Sequence, residues 1–143
     1  MVRKVNILLI EDNPGDVGLT EEALRRSGAS CNLSSIQDPA EALALLRGEG
    51  PHKDMVKPEL IFLDMNLPKY SGLDLIENIR KTKGLEHTPI VVLSGSVNPE
   101  DVRNVYRLGG NCFIRKPMQL DEFIRCMTTC YEFWCNVAVL PSV

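Results

Sequence analysis

Five short apolar runs, separated by segments with helical periodicity, constrain the fold of this 143-residue chain more than any other feature. Most of the runs are rich in Val, Ile and Leu, which is typical of strands buried on both faces of a parallel sheet. They cover residues 5–10, 31–37, 60–63, 89–93 and 112–114. Strand and helix therefore alternate five times, which predicts an α/β fold with a parallel sheet covered by helices on both faces.

Polar residues followed by proline mark the starts of three predicted helices, at Asn13-Pro14, Asp38-Pro39 and Asn98-Pro99. Proline suits the first turn of a helix, where its missing N–H is not needed. Helical spacing of apolar residues predicts one inward face for the last helix, made of Leu120, Phe123, Ile124, Met127, Tyr131 and Trp134. The length allows one core, so we predict a single domain over residues 1–143, with an apolar C-terminal extension at 135–143.

Charge and hydropathy exclude two classes of partner. The formal net charge is -3 and the sequence pI is about 5.4, without the basic face that a nucleic-acid-binding module carries. No apolar run approaches the ~18–20 residues that a membrane span needs. Acidic residues interrupt the first apolar run, so it is not a signal peptide. We therefore expect a cytoplasmic protein that binds neither nucleic acid nor membrane directly.

The five cysteines do not suggest a disulfide framework, because their number is odd and no secretory signal precedes them. Cys126 and Cys130 lie one helical turn apart, a spacing that two zinc ligands can use. His52 and His87 are far from them in the sequence, and no Cys-x-x-Cys pair is present. We expect buried, reduced thiols rather than a metal site.

Functional side chains follow four of the five runs. Glu11 and Asp12 follow the first run, Asp64 the third, Ser94 the fourth and Lys116 the fifth. Ligands of open parallel sheets bind beyond the carboxyl ends of the strands. Three carboxylates, one hydroxyl and one ammonium group are therefore predicted to converge at one edge of the sheet.

Such a cluster points to phosphoryl chemistry with a divalent cation. Close carboxylates repel one another by about 1–4 kcal/mol per pair, which a divalent cation offsets. Mg²⁺ prefers hard oxygen ligands, including carboxylates and phosphate oxygens. One carboxylate can then attack phosphorus and form an aspartyl phosphate. Lys116 would offset charge on the transferring group, and Ser94 would hydrogen-bond a phosphoryl oxygen.

Four pieces of the sequence resemble, in order, the receiver domain of bacterial two-component response regulators. They are residues 10–13, residues 63–68 followed by Gly72, residues 93–94 and residues 113–117. The resemblance extends from Val5 to Trp134. It implies a flavodoxin-like, doubly wound sheet of five parallel strands in the order 2-1-3-4-5, with five helices.

The resemblance also implies how the acidic site works. Asp64 would be the phosphoacceptor. Asp12 and Asp64 would bind Mg²⁺, with Glu11 acting largely through water and Asn66 contributing its backbone carbonyl. Lys116 would pair with the phosphate.

A switch pair is implied as well. Ser94 would be the switch hydroxyl and Phe113 the aromatic side chain that changes rotamer with it, and the bond between Lys116 and Pro117 would be cis. Two residues depart from the family pattern, since Gly95 follows Ser94 where Ala is frequent and Phe113 replaces a tyrosine. Both leave the output mechanism open.

A narrower resemblance links the chain to single-domain response regulators that pair with bacterial phytochromes. It rests on residues 11–17, the long loop before Pro58, residues 64–68, and residues 132–134 with an end near 140–141. It implies a stand-alone regulator phosphorylated by a sensor histidine kinase or a histidine phosphotransfer protein. Apart from this resemblance, Phe133, Trp134 and the apolar tail exceed what one core needs, so we expect the last helix and the extension to form a homodimer interface.

Two other readings compete with an active receiver. A degenerate receiver would be an interaction module of the same fold that is never phosphorylated. The hypothesis of an enzyme of another class is weaker. Flavin sites favour a first loop that cradles phosphate, whereas the first loop of this chain begins with two acidic residues. Phosphatases with an aspartate nucleophile typically carry a second Asp two residues on, where this chain has Asn66. We therefore expect no enzymatic activity beyond the chain's own phosphorylation and dephosphorylation.

Overall fold

Five strands and five helices alternate in the computed structural model, which describes residues 3–52, 54, 56–67 and 69–141. The strands are β1 Val5–Ile10, β2 Cys31–Ile36, β3 Leu60–Asp64, β4 Ile90–Ser94 and β5 Cys112–Arg115. The helices are α1 Pro14–Arg26, α2 Pro39–Leu46, α3 Gly72–Arg80, α4 Pro99–Arg107 and α5 Leu120–Glu132. A short 3-10 turn covers Gly50–His52, and a π-helical turn covers Phe133–Val137.

The sheet is parallel throughout, with the strand order β2-β1-β3-β4-β5. This confirms the fold and the order implied by the sequence. The central strands β3 and β4 are buried at every position, as their continuous apolar runs predicted. Because all strands run the same way, their carboxyl ends lie at one edge of the sheet.

Alternate residues of each strand point to opposite faces and build two cores. Helices α2, α3 and α4 cover one face, and α1 and α5 cover the other. Tyr131 of α5 is fully buried, meets the ring of Phe62 edge to face at 5.5 Å, and donates its hydroxyl proton to the carbonyl of Thr20. This hydrogen bond satisfies a polar group that would otherwise be costly to bury.

The predicted helix caps are present. The side chains of Asn13, Asp38 and Asn98 each accept backbone N–H groups of the first turn, and proline follows each of them. One prediction for α5 is wrong, because Leu120 is 56% exposed rather than inward. It lies in the first turn, before the part of the helix that packs on the sheet, where the buried residues begin at Phe123.

The π-helical turn and the C-terminal extension fold back on the α1/α5 face. Trp134, Cys135 and Leu140 pack against the core there, while Phe133, Val137 and Val139 remain exposed. Residues 142 and 143, at the end of the predicted extension, lie outside the described residues, as does Pro68 of the second motif.

Two further features bear on the sequence analysis. The Lys116–Pro117 bond is trans, so the cis bond implied by the resemblance is wrong for this structure; both isomers of an X–Pro bond lie close in energy. Within the described part of the chain, no helix combines the length and apolar character needed to cross a membrane.

Candidate functional site

Three carboxylates meet at the carboxyl edge of the sheet. Glu11 and Asp12 follow β1 directly, and Asp64 is the last residue of β3. One carboxylate oxygen from each lies within 4.8 Å of the others. Glu11 and Asp64 are buried, and Asp12 is partly exposed. The prediction that these side chains converge is therefore confirmed by their geometry.

Local backbone hydrogen bonds hold the two buried carboxylates in place. Oε2 of Glu11 accepts the backbone N–H of Asn13 at 3.4 Å, and Oδ1 of Asp64 accepts that of Asn66 at 3.2 Å. Each carboxylate thus bonds to the chain two residues ahead, as the loop leaves the strand. The other oxygen of Glu11, Oε1, faces Lys116.

Lys116 contributes the ammonium group of the site. Its Nζ lies 2.5 Å from Oε1 of Glu11, 3.0 Å from Oδ2 of Asp16 and 3.6 Å from Oδ1 of Asp64. Its backbone N–H donates to the carbonyl of Ser94 at 2.7 Å. The lysine is thereby fixed at both ends, and its charged group contacts acidic side chains from β3, from the β1–α1 loop and from the first turn of α1.

Burial and mutual contact shift the ionisation of this cluster. Burial raises the pKa of Glu11 to about 8, and its hydrogen bond with Asp64 adds to the rise against the opposing effect of Lys116. Burial alone would lower the pKa of Lys116, but its hydrogen bonds with Glu11 and Asp16, together with the negative charges of Asp64 and Glu11, raise that pKa. The upward shifts of both pKa values agree with an acidic cluster whose charge one lysine neutralises only in part.

The donor set fits a small divalent cation. Glu11, Asp16 and Asp64 contact one ammonium group, and Asp12 lies beside Glu11 and Asp64, so further positive charge is favourable here. All of these ligand atoms are hard oxygens, which Mg²⁺ and Mn²⁺ prefer. Asp12 also opens onto a cleft of about 740 Å³ that reaches the β3–α3 loop. A cation from solvent can therefore approach the cluster at Asp12.

The β3–α3 loop folds tightly over one side of this cleft. Asn66 and Ser71 form an isolated antiparallel bridge, and the N–H of Gly72 donates to the carbonyl of Met65 at 3.3 Å. A Cβ at position 72 would lie 3.1 Å from the Met65 backbone, so glycine permits this close approach. Lys69 adopts a φ of 68°, a left-handed conformation that completes the turn.

Ser94 and Phe113 occupy neighbouring strands beside the cluster. The buried hydroxyl of Ser94 donates to the carbonyl of Ser96 at 2.8 Å and accepts the N–H of the same residue. Phe113 is partly buried against the α2–α4 core, and its backbone N–H donates to the hydroxyl of Tyr106 at 3.1 Å. This bond ties helix α4 to the edge strand β5.

Two contacts at the site were not predicted from the sequence. Asp16, in the first turn of α1, bonds to Lys116, and its spacing of one helical turn from Asp12 is the signal that would have pointed to it. Tyr106, seven residues before Phe113, bonds to the backbone of the predicted switch residue. Its position in an exposed helix gave no such indication.

Comparison with known proteins gives concordant matches. Residues 7–128 match the family described as the response regulator receiver domain. The chain is 34% identical to the response regulator Rcp1 of Synechocystis sp. over 95% of this chain and 92% of Rcp1.

Two solved structures extend the comparison. The phosphorylated cyanobacterial phytochrome response regulator RcpA superposes with a TM-score of 0.92 at 38% identity, covering 98% of this chain and 100% of RcpA. The Mn²⁺-bound form of Rcp1 superposes with a TM-score of 0.91 at 33% identity, covering 96% and 99% of the two chains. The resemblance to phytochrome response regulators is therefore confirmed at the level of sequence and fold.

Proposed function

Because this chain belongs to the response regulator receiver domain family, we propose that it accepts a phosphoryl group on Asp64 in a reaction that requires Mg²⁺. One observation carries the proposal. The Asp64 carboxylate lies within 4.8 Å of those of Glu11 and Asp12 and 3.6 Å from the Lys116 ammonium group. A nucleophile, a hard-oxygen ligand set and a cation for the phosphoryl oxygens are thus within reach of one another.

The residues of the chain divide the work of phosphoryl transfer. An Asp64 oxygen attacks phosphorus, and the bond from phosphorus to the donor's leaving group breaks. Lys116 stabilises the negative charge of the transferring group from the β5 side. Asp16 and Glu11 hold the Lys116 ammonium in position through their hydrogen bonds.

Asp12, Asp64 and Glu11 would hold the divalent cation, with the backbone carbonyl of Asn66 as a further ligand. When bound, Mg²⁺ supplies positive charge that offsets the phosphoryl oxygens and the acidic cluster. The Mn²⁺-bound form described for Rcp1 supports this ligand chemistry.

Ser94 and Phe113 would carry the signal away from the site. The Ser94 hydroxyl is bonded to the backbone of Ser96, so it must exchange that partner to reach a phosphoryl oxygen. We propose that this exchange accompanies a rotamer change of Phe113 and biases the surface formed by α4, β5 and α5. The hydroxyl of Tyr106 accepts a hydrogen bond from the backbone of β5, so a movement of Phe113 would be transmitted to α4 through this bond.

The proposed phosphodonor is a sensor histidine kinase, and the similarity to Rcp1 and RcpA favours a phytochrome. The match covers 92% of Rcp1, and the domain is proposed to act by partner binding or by onward transfer of the phosphoryl group. A cytoplasmic location follows from this role. Purified candidate kinases, autophosphorylated and mixed with the chain, would identify the donor by the rate of transfer to Asp64.

The exposed apolar side chains of the π-helical turn and the extension support a homodimer interface. Phe133, Val137 and Val139 are 49%, 71% and 97% exposed, whereas Trp134 and Leu140 pack inside the domain. Any interface in this region would thus use the three exposed side chains and not the two that pack inside the domain. Sedimentation equilibrium with and without phosphorylation tests this, and a monomer under both conditions would contradict it.

Acetyl phosphate provides the direct test of phosphorylation. The chain is incubated with it, with and without Mg²⁺, and intact mass is measured, with the Asp64→Asn variant alongside. We expect one added phosphoryl mass that requires both Mg²⁺ and Asp64. If the mass stays unchanged and calorimetry detects no Mg²⁺ binding, the chain is a degenerate interaction module instead.

A further inference from the structure

A pair of thiols joins the C-terminal extension to the edge of the sheet. Cys31 is the first residue of β2, an edge strand, and Cys135 lies in the π-helical turn after α5. The two thiols interact with each other, and both cysteines pack against the α1/α5 core. They are distant in the sequence, so the contact depends on the extension folding back.

An independent contact fixes the same two segments. Nδ2 of Asn136 donates to the carbonyl of Gly28 at 3.4 Å, next to Cys135 on one side and three residues before Cys31 on the other. Both cysteines are only partly buried, so a small solute can reach them. The segments that carry the two thiols are therefore held together at a partly exposed position.

The two thiols differ in acidity in the way that a reactive pair requires. The hydrogen bond from Cys135 lowers the pKa of Cys31, and Lys4 contributes to the same effect, while burial opposes it. The same hydrogen bond raises the pKa of Cys135. Cys31 is thus the better thiolate, and thiolates are the form that attacks oxidants.

We propose that Cys31 and Cys135 form a reversible disulfide when the protein meets a hydroperoxide, and that this bond clamps the extension onto β2. This pair of cysteines would respond to oxidation and not to phosphorylation. Disulfides in reducing compartments are commonly transient and redox-sensing, which suits a partly exposed pair of this kind.

The chemistry balances with hydrogen peroxide as the oxidant. The Cys31 thiolate attacks one peroxide oxygen, the O–O bond breaks, and the departing hydroxide takes a proton to become water. Cys31 is then a sulfenic acid. The Cys135 sulfur attacks the Cys31 sulfur, the S–O bond breaks, and the hydroxide leaves as water with the Cys135 proton. Two thiols lose two electrons, and one peroxide becomes two waters.

A second pair of neighbouring thiols has the wrong geometry for the same reaction. Cys126 and Cys130 are four residues apart in α5, where Cβ atoms are separated by about 5–6 Å. A disulfide needs Cβ atoms at about 3.5–4.5 Å. Bridging this pair would unwind the helix, whereas Cys31 and Cys135 lie on separate elements that can adjust. Cys126 can still be oxidised by itself, so it is removed from the test.

The test uses the full chain carrying Cys126→Ser, reduced, freed of reductant and treated with stoichiometric hydrogen peroxide. Remaining thiols are blocked with N-ethylmaleimide, and the digest is analysed by mass spectrometry. We expect a linked peptide pair containing Cys31 and Cys135, a loss of two blockable thiols, and full reversal by dithiothreitol. The urea midpoint should rise on oxidation and return on reduction.

Added substitutions assign the bond. Cys31→Ser or Cys135→Ser should abolish the linked pair, whereas Cys112→Ser should leave it unchanged. The proposal is overturned if Cys31 and Cys135 stay blockable, if another pair links first, or if the bond joins two chains. The chain that carries Cys126→Ser alone is itself assayed. A further variant that fails to fold therefore does not obscure the result.

Discussion

The Nζ atom of Lys116 donates a hydrogen bond of 2.5 Å to Oε1 of Glu11, joining the residue after β5 to the residue after β1. In the site proposed above, that glutamate also faces the cation. The ammonium group and a divalent cation would then draw on the same negative charge. The Lys116 ammonium group should therefore weaken cation binding but promote phosphoryl transfer, and the two effects can be measured separately.

Replacing Lys116 with methionine should separate those two effects. Without the ammonium group, the carboxylates lose a competing positive charge, and Mg²⁺ should bind roughly tenfold more tightly, about 1.4 kcal/mol. Phosphorylation by acetyl phosphate should nevertheless slow by roughly a hundredfold, because charge on the transferring group loses its partner. Calorimetry measures the first quantity and intact mass the second.

Lys81→Met is the matched control for this experiment, since Lys81 is an exposed lysine of the α3 C-cap that pairs with Glu77. Neither Mg²⁺ affinity nor phosphorylation rate should change in it by more than about twofold. If Lys116→Met weakened Mg²⁺ binding instead, the shared-charge description of Glu11 would be wrong.

Asp16→Asn should slow phosphorylation without changing its dependence on Mg²⁺. Oδ2 of Asp16 lies 3.0 Å from Nζ of Lys116, so a neutral amide holds the ammonium group less firmly. We expect a rate lower by about fivefold, equivalent to about 1 kcal/mol. Asp74→Asn is the control, because Asp74 is also an acid in the first turn of a helix but lies outside the cluster. Equal slowing in both variants would attribute the effect to helix stability.

The strand-end residues could be predicted because a local pattern determines them. Apolar runs identify buried strands, and parallel strands end at the same edge, so Glu11, Asp64 and Lys116 had to converge once the sheet was recognised. The contact of Asp16 with Lys116 depends instead on how α1 is oriented beyond the strand. That orientation follows from packing on α5, which periodicity does not specify.

The C-terminal region shows the same limit more strongly. Helical spacing placed Leu120 on the inward face, but the spacing does not tell where along its length a helix first meets the sheet. The pairing of Cys31 with Cys135 arises from the turn after α5, where the chain leaves regular α-helical geometry. Contacts between distant segments of this kind follow from docking, and no local sequence pattern encodes them.

Alkylation of Cys126 should reach half its maximal rate near pH 7. The hydrogen bond from Cys130 lowers the pKa of Cys126 to about 7, against the opposing effect of burial. Thiolate appears as the pH rises through the pKa, so a lowered pKa moves the reaction below the pH of about 8.5 expected for a free cysteine. Cys130→Ala removes the donor and should move the midpoint upward. Site-resolved mass spectrometry of iodoacetamide-treated samples measures it; an unchanged midpoint would assign no role to Cys130.

Arg80→Ala should destabilise the domain by about 2–3 kcal/mol, because its guanidinium group donates to the carbonyls of Leu85, Thr88 and Gly109 and to Oδ1 of Asn111. These bonds join the end of α3 to the loops before β4 and β5. Arg80→Lys should recover less than half of the loss, since an ammonium group lacks the planar fork that reaches both loops. Urea denaturation gives the free energies.

Arg103, an exposed arginine of α4, provides the control. Arg103→Ala should change the free energy of unfolding by less than about 0.5 kcal/mol. Equal losses in the two alanine variants would contradict the assignment.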